Sequence, residues 1–123
     1  ENVLFTGPLY NSDLVSAYVD SDFVVVPSRY ETFPNVILEA YACRKPVIAS
    51  NILSMSDIVI NNETGLLFTS ESFVDLSKCI SHLLDNSYLI QKMGHLALKK
   101  VTLNYDIDII ISQLLSLYGS LID

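Results

Sequence analysis

Short apolar runs alternate along the chain with stretches whose apolar residues recur every three or four positions. Residues 3–6, 23–26, 46–49 and 66–68 are compact, β-branched or aromatic, and bounded by Gly, Pro, Ser or Asn. They predict buried strands. Pro46 opens the third run, where no ladder donor is lost. Between the first two, Asn11 or Ser12 can cap a helix whose apolar face is Leu14, Val15, Tyr18 and Val19. Residues 35–43 carry helical spacing in Val36, Ile37, Ala40 and Tyr41, with Asn35 as cap. A turn or short helix is expected over 56–60, and turn chemistry over 61–65. Beyond the fourth strand the pattern is helical throughout. One helix, capped by Thr69 or Ser70, carries Phe73, Val74, Leu76, Ile80, Leu83 and Leu84. Asp85-Asn86-Ser87 breaks it. A second spans about 88–103, and a third about 107–121 with Ile110, Ile111, Leu114, Leu117 and Leu121 on one face.

Strands alternating with helices predict βα units and a parallel sheet: an α/β, Rossmann-like domain with flanking helices and a C-terminal helical layer. The strands are continuously apolar rather than alternating, so both sheet faces are expected to be covered. Ligands of such sheets collect beyond the carboxyl ends of the strands. Those ends lead into Gly7-Pro8, residues 28–35 and residues 50–57, where the polar and unusual residues gather.

The totals narrow the function. The 123 residues are one domain's worth, and half are hydrophobic. A net charge of −7, from 14 acids against 7 bases, argues against nucleic acid as a partner. It leaves room for one phosphorylated ligand, because local dipoles overrule net charge. Cys43 and Cys79 fall in apolar helical patterns and read as buried free thiols, with a reducing, cytoplasmic compartment implied. No Cys, His and Asp spacing suggests a metal. His82 and His95 read as surface or packing residues. No run approaches the ~20 apolar residues of a membrane span. The chain opens on Glu1-Asn2 without Met, and reads as a piece of a longer protein.

Glu31 and Glu39 hold the candidate chemistry. Glu31 follows a strand end. Pro34 suits a loop or first helical turn, and a helix beginning near Val36 would point free N–H groups into the crevice. Such a helix start holds phosphate. Glu39, one turn in, would lean back toward that start. A carboxylate there repels phosphate, but it can accept hydrogen bonds from two neighbouring hydroxyls, as on a ribose. Acids near a helix start also serve the dipole alone. A glycosidase acid and nucleophile is a further use of paired carboxylates, but no acidic or aromatic sugar platform surrounds these two. Arg29 reads as a solvated loop charge. Tyr30 is kept as a ligand contact, and the other tyrosines as packing and surface residues.

The segments Val25-Val26-Pro27-Ser28, Glu31-Thr32-Phe33-Pro34-Asn35-Val36-Ile37-Leu38-Glu39-Ala40 and Lys45-Pro46-Val47-Ile48-Ala49-Ser50 carry a resemblance. With Asn62-Glu63-Thr64-Gly65-Leu66-Leu67-Phe68, and with Val3 to Gly7 ahead of them, they resemble the C-terminal half of a retaining GT-B glycosyltransferase. The family, glycosyl transferases group 1, includes sucrose and glycogen synthases and many bacterial polysaccharide glycosyltransferases. Its hallmark is a pair of glutamates with seven residues between them. The likeness spans about residues 2–118, with the blocks in the family's order.

The resemblance implies a single domain over residues 1–123, the nucleotide-sugar-binding half of a GT-B fold. It implies that Glu39 binds the ribose hydroxyls of the donor and that Glu31, the catalytic candidate, lies near the transferred sugar. The backbone amides of Phe33, Asn35 and Val36 would face the sugar and distal phosphate. Pro34 offers only a carbonyl, where many relatives have Gly. Gly7 to Leu9 would lie near the base. The reaction implied is transfer of a sugar from a nucleotide diphosphate to an acceptor hydroxyl with retention, in polysaccharide, lipopolysaccharide or glycolipid synthesis. No cofactor or metal is expected. The rival readings are a nucleotide-sugar epimerase of the same architecture and a non-catalytic nucleotide- or sugar-binding module. A cytoplasmic location is implied, at the inner membrane face if the full-length protein binds the membrane peripherally.

Departures from the family's pattern are specific. Leu53-Ser54 stand where relatives have a Gly pair, making the loop bulkier and bearing on sugar choice and activity. Asp57 stands for Glu. Arg44 stands for Gly and reads as turn decoration. The family's basic diphosphate clamp belongs to earlier units, and its acceptor site and a His to an N-terminal domain. This chain alone is therefore expected not to catalyse transfer. The resemblance also puts two strands between those at 3–6 and 23–26 that this chain lacks. A rearranged order or an exposed sheet edge is expected, favouring self-association.

Overall fold

A computed structural model describes residues 2–122, with the side chains of Leu121 and Ile122 outside that description. Three parallel strands form the sheet of the described residues: β1 (Val24–Val26), β2 (Val47–Ser50) and β3 (Gly65–Phe68), in the order β1-β2-β3. Val24 pairs with Val47, and Val47 in turn with Gly65. The helices are α1 (Asn11–Asp20), α2 (Asn35–Ala42), α3 (Leu53–Ser56), α4 (Phe73–Leu84), α5 (Ser87–Asn104) and α6 (Ile107–Ile122).

β2 is the spine of the fold, and all of its residues are buried. Its side chains alternate between two apolar layers, as the pleat requires. Val47 and Ala49 join Ile37, Ala40 and Tyr41 of α2, Met55 of α3 and Ala97 of α5. Ile48 joins Leu66 and Phe68 of β3, Leu83 of α4 and Met93 of α5. Helix α5 reaches both layers, with Met93 on one and Ala97 on the other. A fully covered parallel strand thus accounts for an apolar run with no polar alternation. One buried polar pair ties the layers to the β3 turn. The Tyr41 hydroxyl lies 2.6 Å from Thr64 Oγ1, which also accepts the Ile60 N–H at 3.0 Å.

The structure corrects several expectations. Residues 3–6 form no strand, and Val3, Leu4 and Phe5 are exposed. A parallel strand forms only against a neighbour that takes its N–H and C=O groups, and none of the described strands lies beside this segment. β1 is thus an open edge, with Val24 and Val25 half-buried and Val26 buried in the core. Asn35 is the first residue of α2, and Pro34 occupies the cap position without a side-chain hydrogen bond. Tyr10, rather than Asn11 or Ser12, caps α1, and Val15 and Val19 are exposed. α3 comes earlier than expected because Met55 plugs into the core just after β2.

The cap of α4 is Ser72, whose Oγ accepts the Asp75 N–H at 3.2 Å. Glu71, with φ of 66°, turns the chain between Thr69 and that cap, so Phe73 and Val74 point to solvent. α6 leaves Ile111, Leu114 and Leu117 exposed, and only Ile110 of the expected face is half-buried among described side chains. Leu121, also counted on that face, has its side chain outside the described residues. Cys43 and Cys79 are free thiols but only half-buried.

Candidate functional site

The carboxyl ends of β1 and β2 open on the segments that hold the candidate residues. After β1 the chain runs through Pro27 to the loop carrying Glu31, then turns into α2. The turn is built on Pro34, with φ of −83° and ψ of 79°. The Asn35 N–H donates to the Phe33 carbonyl at 3.0 Å across it, an inverse γ-turn. Pro34 itself is fully buried, which fixes the direction in which α2 leaves the loop. The N–H of Ile37 returns to the Pro34 carbonyl at 3.0 Å. The Asn35 amide is thus engaged within the turn. Val36 follows it in the first turn, and its N–H has no backbone partner among the described residues. Phe33, Asn35 and Val36 are all exposed at this start.

The two glutamates border different clefts. Glu31 lines an open cleft of about 390 Å³ with Arg29, Tyr30, Thr32, Ile52, Leu53 and Ser54. Its Oε1 accepts the neighbouring Thr32 N–H at 3.0 Å. Leu53, 79% exposed, projects at the edge of this cleft, where the sequence comparison marked a bulkier loop. The Arg29 guanidinium does not reach into the cleft as a free charge, since its Nε lies 2.9 Å from Glu71 Oε1. That pair joins the loop after β1 to the loop after β3. Both side chains are well exposed, so it is worth no more than about 1 kcal/mol.

Glu39 borders a cleft of about 360 Å³ between α1 and α2, with Leu14, Val15, Tyr18 and Ala42 among its walls. The Tyr18 hydroxyl donates to Glu39 Oε2 at 2.8 Å. Tyr18 packs against the core layer beneath α2. Burial first, then the Glu39 hydrogen bond and charge, push its hydroxyl above the ordinary tyrosine range. It therefore stays protonated and donates to the carboxylate. Oε1 carries no partner among the described residues. Arrangements of this kind, one carboxylate oxygen held and the other open, receive hydroxyl donors.

Sequence reasoning passed over Tyr18, assigning it to the apolar face of α1. The available signal was that a tyrosine on a buried face needs a hydroxyl partner. Gly7, with φ of 69°, is exposed, and Leu9 is half-buried. Neither lines the Glu31 cleft or the Glu39 cleft. His82 and His95 are exposed on α4 and α5. Among the described residues there is no group of three or more His, Cys, Asp or Glu placed to hold a metal, and no helix long and apolar enough to cross a membrane.

Comparison with known proteins gives a consistent result. The family described as glycosyl transferases group 1 matches residues 1–100. The capsular polysaccharide biosynthesis glycosyltransferase CapM of Staphylococcus aureus is 33% identical over 109 residues, covering 89% of this chain and 29% of CapM. The structure of sucrose-phosphate synthase from Thermosynechococcus elongatus superposes with a TM-score of 0.80 at 32% identity, covering 89% of this chain and 28% of that one. TarM of S. aureus, solved in a complex that includes UDP, superposes with a TM-score of 0.79 at 26% identity, over 89% of this chain and 22% of TarM. The chain thus spans less than a third of the length of these relatives.

Proposed function

The chain belongs to the glycosyl transferases group 1 family, and we propose that it is the donor-binding domain, as one unit over residues 1–123, of a retaining GT-B glycosyltransferase. Glu39 binds the ribose hydroxyls of a nucleotide-diphosphate sugar. The start of α2, with the amides of Phe33, Asn35 and Val36 around the buried Pro34, receives the distal phosphate and sugar. Of these amides, Asn35's is engaged within the turn, which leaves those of Phe33 and Val36 to do so. Glu31 lies beside the transferred sugar, and Gly7 to Leu9 approach the base. The C1–O bond to the diphosphate breaks, the acceptor oxygen bonds to C1 on the same face, and the acceptor's proton leaves with the diphosphate. The helix dipole and donors at the site stabilise the charge that develops there.

The observation that supports this reading most is the Glu39 carboxylate one turn inside α2, with Oε2 held by Tyr18 and Oε1 open. The UDP in the TarM complex favours a nucleoside diphosphate donor. The name of CapM favours a role in surface polysaccharide synthesis. We place the reaction in the cytoplasm, at the inner membrane face if the acceptor is lipid-linked. The acceptor site belongs to the part of the protein beyond this chain, so this chain alone transfers no sugar. The relatives' names favour transfer over the epimerase and the non-catalytic module.

The test is incubation of the full-length protein with a panel of UDP- and GDP-sugars, with and without an acceptor glycan or glycolipid. Transfer that requires acceptor and keeps the anomeric configuration is expected. Conversion or hydrolysis of the nucleotide sugar with no acceptor present would contradict it.

A further inference from the structure

We propose that Tyr18 is a positioning residue for donor binding: its hydroxyl holds the Glu39 carboxylate in the orientation that presents Oε1 to the ribose. The inference rests on the donor-site reading of Glu39. Glu39 is exposed on α2, and a glutamate there has three freely rotating side-chain bonds. Among the described residues, one hydrogen bond holds it from outside its own helix. Tyr18 reaches it from α1, with the ring packed on the core layer and the hydroxyl 2.8 Å from Oε2. The end of α1 is closed locally, where Ser21 Oγ donates to the Tyr18 carbonyl at 2.9 Å, and its hold on the rest of the fold is the Tyr18 ring itself. The tyrosine has few rotamers and is packed, so it makes a stiff strut. The carboxylate oxygen it occupies can take no ribose hydroxyl along the same direction, which leaves Oε1 and the remaining lone pair of Oε2 to accept them.

Tyr18 also closes one wall of the cleft between α1 and α2. A merely structural role would make it a packing residue alone. A positioning role makes its hydroxyl matter for the ribose and for nothing else.

The experiment is calorimetric titration of the full-length protein, its Tyr18→Phe and Glu39→Ala variants and the double variant. The probes are UDP and 2′,3′-dideoxy-UDP, with the guanine pair run beside them. Stoichiometry reports the folded fraction of each variant independently of Kd. Tyr18→Phe is expected to weaken the ribonucleotide about tenfold, the cost of one charge-assisted hydrogen bond. It should leave the dideoxy analogue unchanged and add nothing in the Glu39→Ala background. Equal losses for both nucleotides, or additive losses in the double variant, would overturn the positioning role. A loss in Glu39→Ala with none in Tyr18→Phe overturns the role of Tyr18 and leaves the donor site standing. A loss in neither, or no binding by the wild type, overturns the donor-site reading itself.

Discussion

The backbone of Arg44 passes so close to Gly94 that a methyl group on Gly94 would lie 2.3 Å from the Arg44 carbonyl oxygen. This contact sets the distance between α5 and the turn that joins α2 to β2. Gly94 is the point at which α5 meets that turn, and it is fully covered.

Gly94→Ala should therefore destabilise the fold strongly. Helix propensity favours alanine by about 1 kcal/mol, but backbone must move to admit the methyl, and the strain is expected to exceed that gain by up to about 2 kcal/mol. Urea unfolding with the slope held constant checks it. A variant as stable as the wild type would show that α5 slides without cost.

Arg44 itself sits at φ of 60°, in the left-handed region. Read from sequence, it was only turn decoration in a place where relatives have glycine, and the structure gives it a backbone role. A non-glycine residue there costs about 1–2 kcal/mol, against a smaller entropic loss for glycine. Arg44→Gly is expected to raise stability by up to about 1 kcal/mol, seen as a higher Tm.

Ser50 ends β2 with its side chain buried and its Oγ without a hydrogen-bond partner among the described residues. An unsatisfied buried hydroxyl costs about 1–3 kcal/mol relative to water. Ser50→Ala should leave stability unchanged or raise it by about 1 kcal/mol. A clear drop in the denaturant midpoint would show that the hydroxyl has a partner when folded in solution.

Burial pushes the Tyr41 hydroxyl up to about 12, with Thr64 pulling against it and Tyr105 adding to it. The folded value lies above the unfolded one of about 10. Its contribution is complete below about pH 10 and is lost as pH rises from 10 toward 12. Tyr41→Phe should cost about 1 kcal/mol at neutral pH, because Thr64 Oγ1 loses one of its two hydrogen-bond partners and keeps the Ile60 N–H. It should also flatten the fall in stability over that alkaline window, which unfolding curves at pH 8 to 12 will reveal.

The βα alternation was legible because β2 is covered on both faces and its residues alternate between two apolar layers, leaving no polar signal to mislead. The helix of α2 and the turn before β3 were legible for the same reason. Each has a pattern fixed by local packing. The strand expected at residues 3–6 was not, because a strand's existence depends on its neighbour, and the segment reads as strand only where another chain segment offers its hydrogen bonds. The site was half legible. The two carboxylates and the start of α2 follow from spacing, but the Asn35 N–H is spent on Phe33 and the Tyr18 hydroxyl on Glu39. Both bonds join atoms whose partners become visible only when helix and loop are placed.

The open edge of β1 is expected to favour self-association of the isolated chain. Sedimentation across a range of concentrations checks it, and a monomer at every concentration would contradict it.

A crystal structure of the full-length protein with its nucleoside diphosphate bound is the measurement that tests the account most directly. The account predicts both ribose hydroxyls within hydrogen-bond distance of the Glu39 carboxylate, with Tyr18 still on Oε2 and the distal phosphate at the start of α2. A nucleotide bound elsewhere, or a ribose turned away from Glu39, would contradict it.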